Sequence, residues 1–482
     1  MKRLGILLVL LVIFSLDFFA QGNDQYLVDS KELGSVTAGT IEAALGFYGY
    51  YRDYMNINDV TIYKITYNTI DVFGNPTIAS GAMYVPQINV KTFPLISWQH
   101  GTVMDRTQVP SRRYDDVSGC FYSGNGYITT LPDYLGMGDN PGIHPYIHWE
   151  SEATASIDLI RAAREFINDS LMIGDNEQIF ITGYSQGGHA TMAMHKYIQI
   201  HKLQDEFNIV ASAPMSGPYS LYYDQFDFVL DEDSTYYKSE FLPYIFASYN
   251  YVYGNLFTDY SQYYDPPFDS LFAAWDSSGI YFENVSSDII PHNYYSFMQD
   301  SVLNNMKNDP NHPVNVALRK NDLYNWSPQQ AIRMLYCGMD SMVTPLNSLT
   351  ALDTMTALGA PDVQAIDVDA QKTHETCWEP SYLYALEWFD SLAVKSSVHV
   401  SKDYESPEIK LYPNPTTNIL TIATDKSGQY SFEITSLKGH LIYKGEMEGP
   451  THQIDLSSFP RGVYFVTIRS KVFVSTKKII KI

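Results

Sequence analysis

The residues Gly183-Tyr184-Ser185-Gln186-Gly187 put a serine between two glycines, at the junction of two contrasting segments. Before it, Ile179-Phe180-Ile181-Thr182 is a short apolar run of the kind that forms a buried strand; after it, a helical pattern continues through His201. A serine hydroxyl is a poor nucleophile until a base takes its proton and the backbone exposes it. A sharp strand-to-helix turn exposes Ser185 at strained backbone angles, and Gly183 and Gly187 remove side chains that would collide there. The chemistry this prepares is acyl transfer through a covalent serine ester.

Such a reaction needs donors for the oxyanion that forms during attack, each contributing about 3 kcal/mol. One is expected from the backbone N–H of Gln186, at the N-terminus of the helix, where the dipole favours negative charge. The other is expected from a loop after an earlier strand. His100-Gly101-Thr102 follows Ser97-Trp98 in this way, and the amide of Thr102 is the candidate. The acid and the base should follow the nucleophile in that order, each just beyond a strand. Asp340 follows Met334 to Cys337, and His374 follows Val363 to Val368. Asp362, Asp367 and Asp369 are rival acids, but they flank the strand that should deliver the histidine. His189 sits too close to Ser185 along the same helix to act as base, and His292 and His312 fall in a region with a different pattern.

The elements that must position these groups read as a layered sheet. Val60 to Pro86 alternates as an antiparallel pair around a turn at Asp71 to Pro76. Pro94 to Trp98 and Gly126 to Thr130 are short apolar strands, Glu150 to Asp169 is an amphipathic helix, and Ile209 to Ala211 is a further strand. Strands alternating with helices predict a parallel sheet covered on both faces. Between Gly217 and Gln330 the alternation stops in a tyrosine-rich stretch, too long for a structureless loop and therefore read as an inserted cap. The sheet resumes at Arg333 to Cys337 and at Val363 to Val368, and a helix over Glu379 to Leu392 closes it.

Composition limits the alternatives. With 482 residues, two folded units are expected. Lys plus Arg number 31 against 54 Asp plus Glu, a formal charge of −23, which repels phosphate backbones and argues against a nucleic-acid partner. Lys2 and Arg3 followed by an apolar run to Phe19 read as a secretory signal peptide over 1–20, too short for a comfortable membrane span. The three cysteines are no disulfide framework. Buried free thiols are the default expectation; one bridge can form in an oxidising compartment, and Cys337 with Cys377 would then be the pair. His144 and His148 have the spacing of helical metal ligands, but Pro145 lies between them and no third ligand clusters nearby, so they read as structural. Asp231-Glu232-Asp233 reads as a solvated acidic loop rather than a calcium site. Neither a cofactor nor a metal is expected.

Taken together, Ser97-Trp98-Gln99-His100-Gly101-Thr102, Pro132 to Gly138, His144-Pro145-Tyr146 and Gly183 to Gly188 resemble the secretory lipase family of α/β-hydrolases, with Asp340 and His374 where that family places its acid and base. The likeness spans about residues 60 to 390 and is weakest in the cap. It implies an α/β-hydrolase fold, a mostly parallel sheet with helices on both faces and a cap at about 217–330, and hydrolysis of carboxylic esters of lipids or other acyl compounds.

After a polar linker at 396–408, the remaining chain is strand-like and predicts a small all-β sandwich. Leu411-Tyr412-Pro413-Asn414-Pro415, Ser436 to Gly439, Ile454-Asp455-Leu456, Gly462 to Phe465 and Lys477 to Lys481 resemble the C-terminal sorting domain of the type IX secretion system. The resemblance implies partnership with that machinery and a secreted or outer-surface location. The expected organisation is a signal peptide at 1–20, a catalytic domain at 21–395, a linker at 396–408 and a sorting domain at 409–482. Competing readings are an esterase acting on acylated polysaccharides, a serine peptidase of the same fold, and a non-catalytic surface binding protein.

Overall fold

A computed structural model describes residues 25–47, 57–113, 116–231, 236–278, 289–395, 407–426, 428–436, 441–470 and 473–482. The segment read as a signal peptide, nearly all of the linker, and parts of the acidic loop and of the Ser436 to Gly439 motif lie outside the described residues.

Nine strands form one sheet: β1 (Leu27–Val36), β2 (Val60–Ile70), β3 (Pro76–Pro86), β4 (Thr92–Gln99), β5 (Ile128–Pro132), β6 (Gly174–Tyr184), β7 (Ile209–Met215), β8 (Ala331–Tyr336) and β9 (Val363–Asp367). Their order is β1-β2-β3-β5-β4-β6-β7-β8-β9. The β1–β2, β2–β3 and β3–β5 pairings are antiparallel, and every pairing from β5 to β9 is parallel. β4 shows why a strand in this position carries apolar residues on both sides. Ile96 and Trp98 pack among Phe121, Tyr122, Tyr382 and Phe389, while Leu95 packs on the opposite face among Ile157, Ile160 and Ile181. A strand buried on both faces cannot alternate with polar residues.

The first face is covered by α1 (Ala38–Phe47), α2 (Val117–Gly124) and the C-terminal helix; the second by α3 (Trp149–Phe166) and α4 (Gln186–Ile200). Ile157, Ile160, Ala163 and Ile167, the stripe expected of the first long helix, are all buried. Between β7 and β8 lie the short helices α5 (Phe226–Val229), α6 (Phe241–Tyr253), α7 (Phe268–Ser278), α8 (Asp300–Asn308) and α9 (Pro313–Lys320). They enclose a separate aromatic core that includes Tyr146, Tyr244, Tyr264 and Phe297. Most of the tyrosines in this region therefore pack against one another.

Two helices follow: α10 (Leu346–Ala357) and α11 (His374–Leu392). The sequence pattern does not mark α10, because Leu346 and Leu349 are exposed and its buried face consists of Asn347, Ser348, Ala351 and Met355. The expected start of the closing helix at Glu379 is too late. Pro380 lies inside α11, which starts at His374 behind a reciprocal capping box between Thr373 and Thr376.

The C-terminal segment forms two antiparallel sheets. One contains β10 (Ile409–Tyr412), β11 (Ile419–Thr424) and β14 (Thr451–Asp455); the other contains β12 (Gln429–Ser436), β13 (Leu441–Glu448), β15 (Gly462–Ser470) and β16 (Phe473–Lys481). Leu420, Ile422 and Ile454 of the first sheet share a core with Phe432, Ile434, Val466 and Ile468 of the second, as a sandwich requires.

Candidate active site

Ser185 occupies the turn between β6 and α4 with φ 61° and ψ −119°, a conformation that L-residues rarely adopt. Two close approaches enforce it. A Cβ on Gly183, or one on Gly187, would collide with the Gln99 carbonyl oxygen at the end of β4. The Ser185 N–H donates to the Met215 carbonyl oxygen at 2.9 Å, which anchors the turn to β7.

His374, the first residue of α11, brings Nε2 to 2.9 Å from Ser185 Oγ and Nδ1 to 2.7 Å from Asp340 Oδ2. Asp340 lies in the loop after β8, and its other oxygen accepts the N–H groups of Met342 and Val343 at 3.0 and 2.8 Å. With that oxygen occupied by backbone donors, Oδ2 is left for the imidazole. A proton on Nδ1 leaves the Nε2 lone pair facing the hydroxyl. Tyr184 OH donates to the His374 carbonyl oxygen and fixes the start of α11 from the strand that leads into Ser185.

The disulfide Cys337–Cys377 joins the segments carrying Asp340 and His374, three residues before the first and three after the second. Contrary to the default of unbridged thiols, Cys337 and Cys377 are bridged, because the start of α11 lies against the Asp340 loop; Cys120 is buried outside the bridge. The closed loop has a sequence separation of 40, for which loop-closure entropy corresponds to about 4 kcal/mol. The Cys337→Ser/Cys377→Ser protein is therefore expected to melt well below the wild type. An unchanged melting temperature in the double variant would show that the bridge contributes nothing.

The loop after β4 lies beside Ser185: a Cβ on Gly101 would be 3.2 Å from the Tyr184 carbonyl oxygen and 3.7 Å from Ser185 Cβ. The Gly101 carbonyl is 2.7 Å from His100 Nδ1. In a trans peptide the N–H points opposite to the C=O, so the Thr102 N–H is directed away from the His100 ring. Thr102 Oγ1 is 2.7 Å from Tyr146 OH, which ties this loop to the cap core. Gln186 is the first residue of α4, so its N–H has no partner within the helix.

Most of the rival groups are engaged elsewhere. Asp362 pairs with Arg333 at 2.7 Å, Asp369 accepts the Gln371 N–H, and Asp367 ends β9. His189 is buried against Glu152. His144 is held by the Leu135 carbonyl and by Gln186, and His148 by Ser151. Burial pushes the imidazoles of His144 and His148 down to about 3 and about 4, so both are neutral near pH 7.

An apolar cavity opens at Ser185 and runs beneath the cap, lined by Tyr146, Leu221, Phe226, Phe241, Tyr294 and Met342 among others. No sequence pattern marks this lining, since its residues come from loops, α5, α6 and the Asp340 segment, far apart in the chain.

The parallel sheet, the helices on both faces and the serine on its strained turn define the α/β-hydrolase fold, followed by a small all-β domain. Residues 410–482 match the secretion system C-terminal sorting domain, which directs type IX secretion to the cell surface or extracellular space. Many solved structures are similar, and three of them indicate the range. The rice cell wall degrading esterase LipA from Xanthomonas oryzae has 27% identity over 76% of this chain and 98% of its own, with a TM-score of 0.67. A Legionella pneumophila protein provisionally classed as a hydrolase has 25% identity over 78% of this chain and 100% of its own, with a TM-score of 0.69. Candida antarctica lipase A shares the fold at 16% identity, with a TM-score of 0.56 over 77% of this chain and 83% of its own. No curated protein matches the chain by sequence.

Proposed function

We propose that this chain is an exported serine hydrolase of carboxylic esters. The observation carrying the reading is the hydrogen-bonded line Asp340–His374–Ser185 ending at a nucleophile on a strained turn. His374 takes the Ser185 proton as Oγ attacks the ester carbonyl, and Asp340 holds the ring with its Nε2 lone pair toward the serine and stabilises the imidazolium. The amides of Thr102 and Gln186 receive the oxyanion. Collapse of the tetrahedral intermediate transfers the proton from His374 to the departing alcohol and leaves an acyl-Ser185 ester. Water then attacks that ester with His374 as base, which releases the acid and restores the serine. The similarity to esterase and lipase structures supports an ester over a peptide bond.

The cavity beside Ser185 favours an acyl chain of several carbons over an acetyl group, because its lining is almost wholly apolar. Each buried methylene is worth about 0.8 kcal/mol, or roughly fourfold in kcat/KM. Across p-nitrophenyl esters, kcat/KM is expected to rise by roughly two orders of magnitude from acetyl to hexanoyl, with label from a fluorophosphonate probe appearing on Ser185. Maximal rates on acetyl esters and acetylated glycans would favour the polysaccharide esterase. Absence of labelling would favour a binding protein.

A further inference from the structure

The backbone N–H of Gln186 belongs to the proposed oxyanion site, while its side chain enters a buried polar cluster that acyl transfer does not use. Gln186 Nε2 donates to Glu152 Oε1 at 3.1 Å and to His144 Nε2 at 3.0 Å. Glu152 Oε2 is 2.7 Å from His189 Nδ1, and His189 Nε2 is 3.0 Å from the Asn321 carbonyl oxygen. Glu152, Gln186 and His189 are at most 1% exposed, and His144 is 2% exposed. The donors can be assigned from the acceptors. The Leu135 carbonyl requires a proton on His144 Nδ1, which leaves Nε2 to accept from Gln186. His189 faces an acceptor at each nitrogen, the Glu152 carboxylate and the Asn321 carbonyl. Gln186 Oε1 has no partner among the described residues, and a reversed amide would set it against two acceptors. The side chain therefore has one stable orientation.

We propose that Glu152 and His189 are positioning residues for the oxyanion site. The inference rests on Ser185 being the nucleophile. Both Nε2 hydrogens of Gln186 are engaged, which fixes its side chain and, through it, the first peptide of α4. Glu152 supplies that fix from α3. His189 holds the carboxylate in place and ties the first turn of α4 to Asn321, immediately after α9, where the cap returns to the sheet. A bound oxyanion thus meets an amide braced from α3, α4 and the cap end together.

Glu152→Gln preserves every hydrogen bond: its Oε1 accepts from Gln186, and its Nε2 donates to a neutral His189 that still reaches Asn321. Glu152→Leu removes the brace. Rates are to be expressed per active site, counted by burst titration with a fluorophosphonate. Glu152→Leu is expected to lose kcat by roughly 10- to 100-fold, as for a small misplacement of a catalytic group, with KM within about twofold of wild type. Glu152→Gln should recover most of that loss. Gln186→Leu, which leaves the Glu152–His189 pair intact, should show the same loss and serves as the test should Glu152→Leu not fold. If the variants contain fewer titratable sites, or melt lower, while kcat per site stays unchanged, the cluster is merely structural and the proposal is overturned. It is equally overturned if Glu152→Gln is as impaired as Glu152→Leu. Failure of the nucleophile reading is separately visible, as wild-type protein that takes no label at Ser185.

Discussion

Ser185→Ala is expected to reduce ester turnover by roughly 10⁵-fold or more while leaving the folded protein intact. The magnitude follows from the mechanism. Without Oγ no acyl-enzyme forms, and the remaining amides and pocket support only slow direct attack by water. The fold should tolerate the change. Among the described residues Ser185 Oγ is hydrogen-bonded to His374 Nε2 alone, and the strained φ is set by Gln99, Gly183 and Gly187, not by the serine side chain. Melting within a few degrees of wild type together with loss of hydrolysis is the expected pair of results. A folded Ser185→Ala protein hydrolysing p-nitrophenyl esters at near-wild-type rates would remove the nucleophile from the mechanism.

Asp340→Asn is expected to cost roughly 10⁴-fold in kcat, for a reason of proton placement and not of lost contact. The substituted side-chain amide can keep its oxygen toward the Met342 and Val343 N–H groups, which need an acceptor. Its NH₂ then takes the place of Oδ2 opposite His374 Nδ1. Two donors cannot face each other, so Nδ1 becomes the acceptor and the ring carries its proton on Nε2, pointing at Ser185 Oγ. The base is then unable to accept the serine proton. Burst titration separates this effect from misfolding, since the variant should still react slowly and stoichiometrically with a fluorophosphonate. A loss below about tenfold would mean that a different carboxylate orients the ring.

The local pattern was sufficient to single out Ser185, Asp340 and His374, which the fold brings into one hydrogen-bonded line. A strand, two glycines and a helix around Ser185 leave few backbone solutions. Apolar runs ending just before Asp340 and His374 place both groups at one end of a parallel sheet, where the strands terminate. The same logic located the loop of Thr102. The sorting domain was equally legible, because its turn and strand motifs lie within one short contiguous segment.

What pattern could not supply depends on contacts between distant segments. Whether Cys337 and Cys377 are bridged is decided by how α11 lies against the Asp340 loop, and the early start of α11 comes from Thr373 and Thr376 rather than from an apolar stripe. The pocket lining emerged only when the cap helices met the Ser185 turn. The partnership of Glu152, Gln186 and His189 has no sequence signature. One residue lies in the first turn of α3 and two in the first turn of α4, and each is an ordinary polar residue until helix packing buries them against one another. Periodicity records which face of an element avoids water; it carries no record of which other element that face will meet.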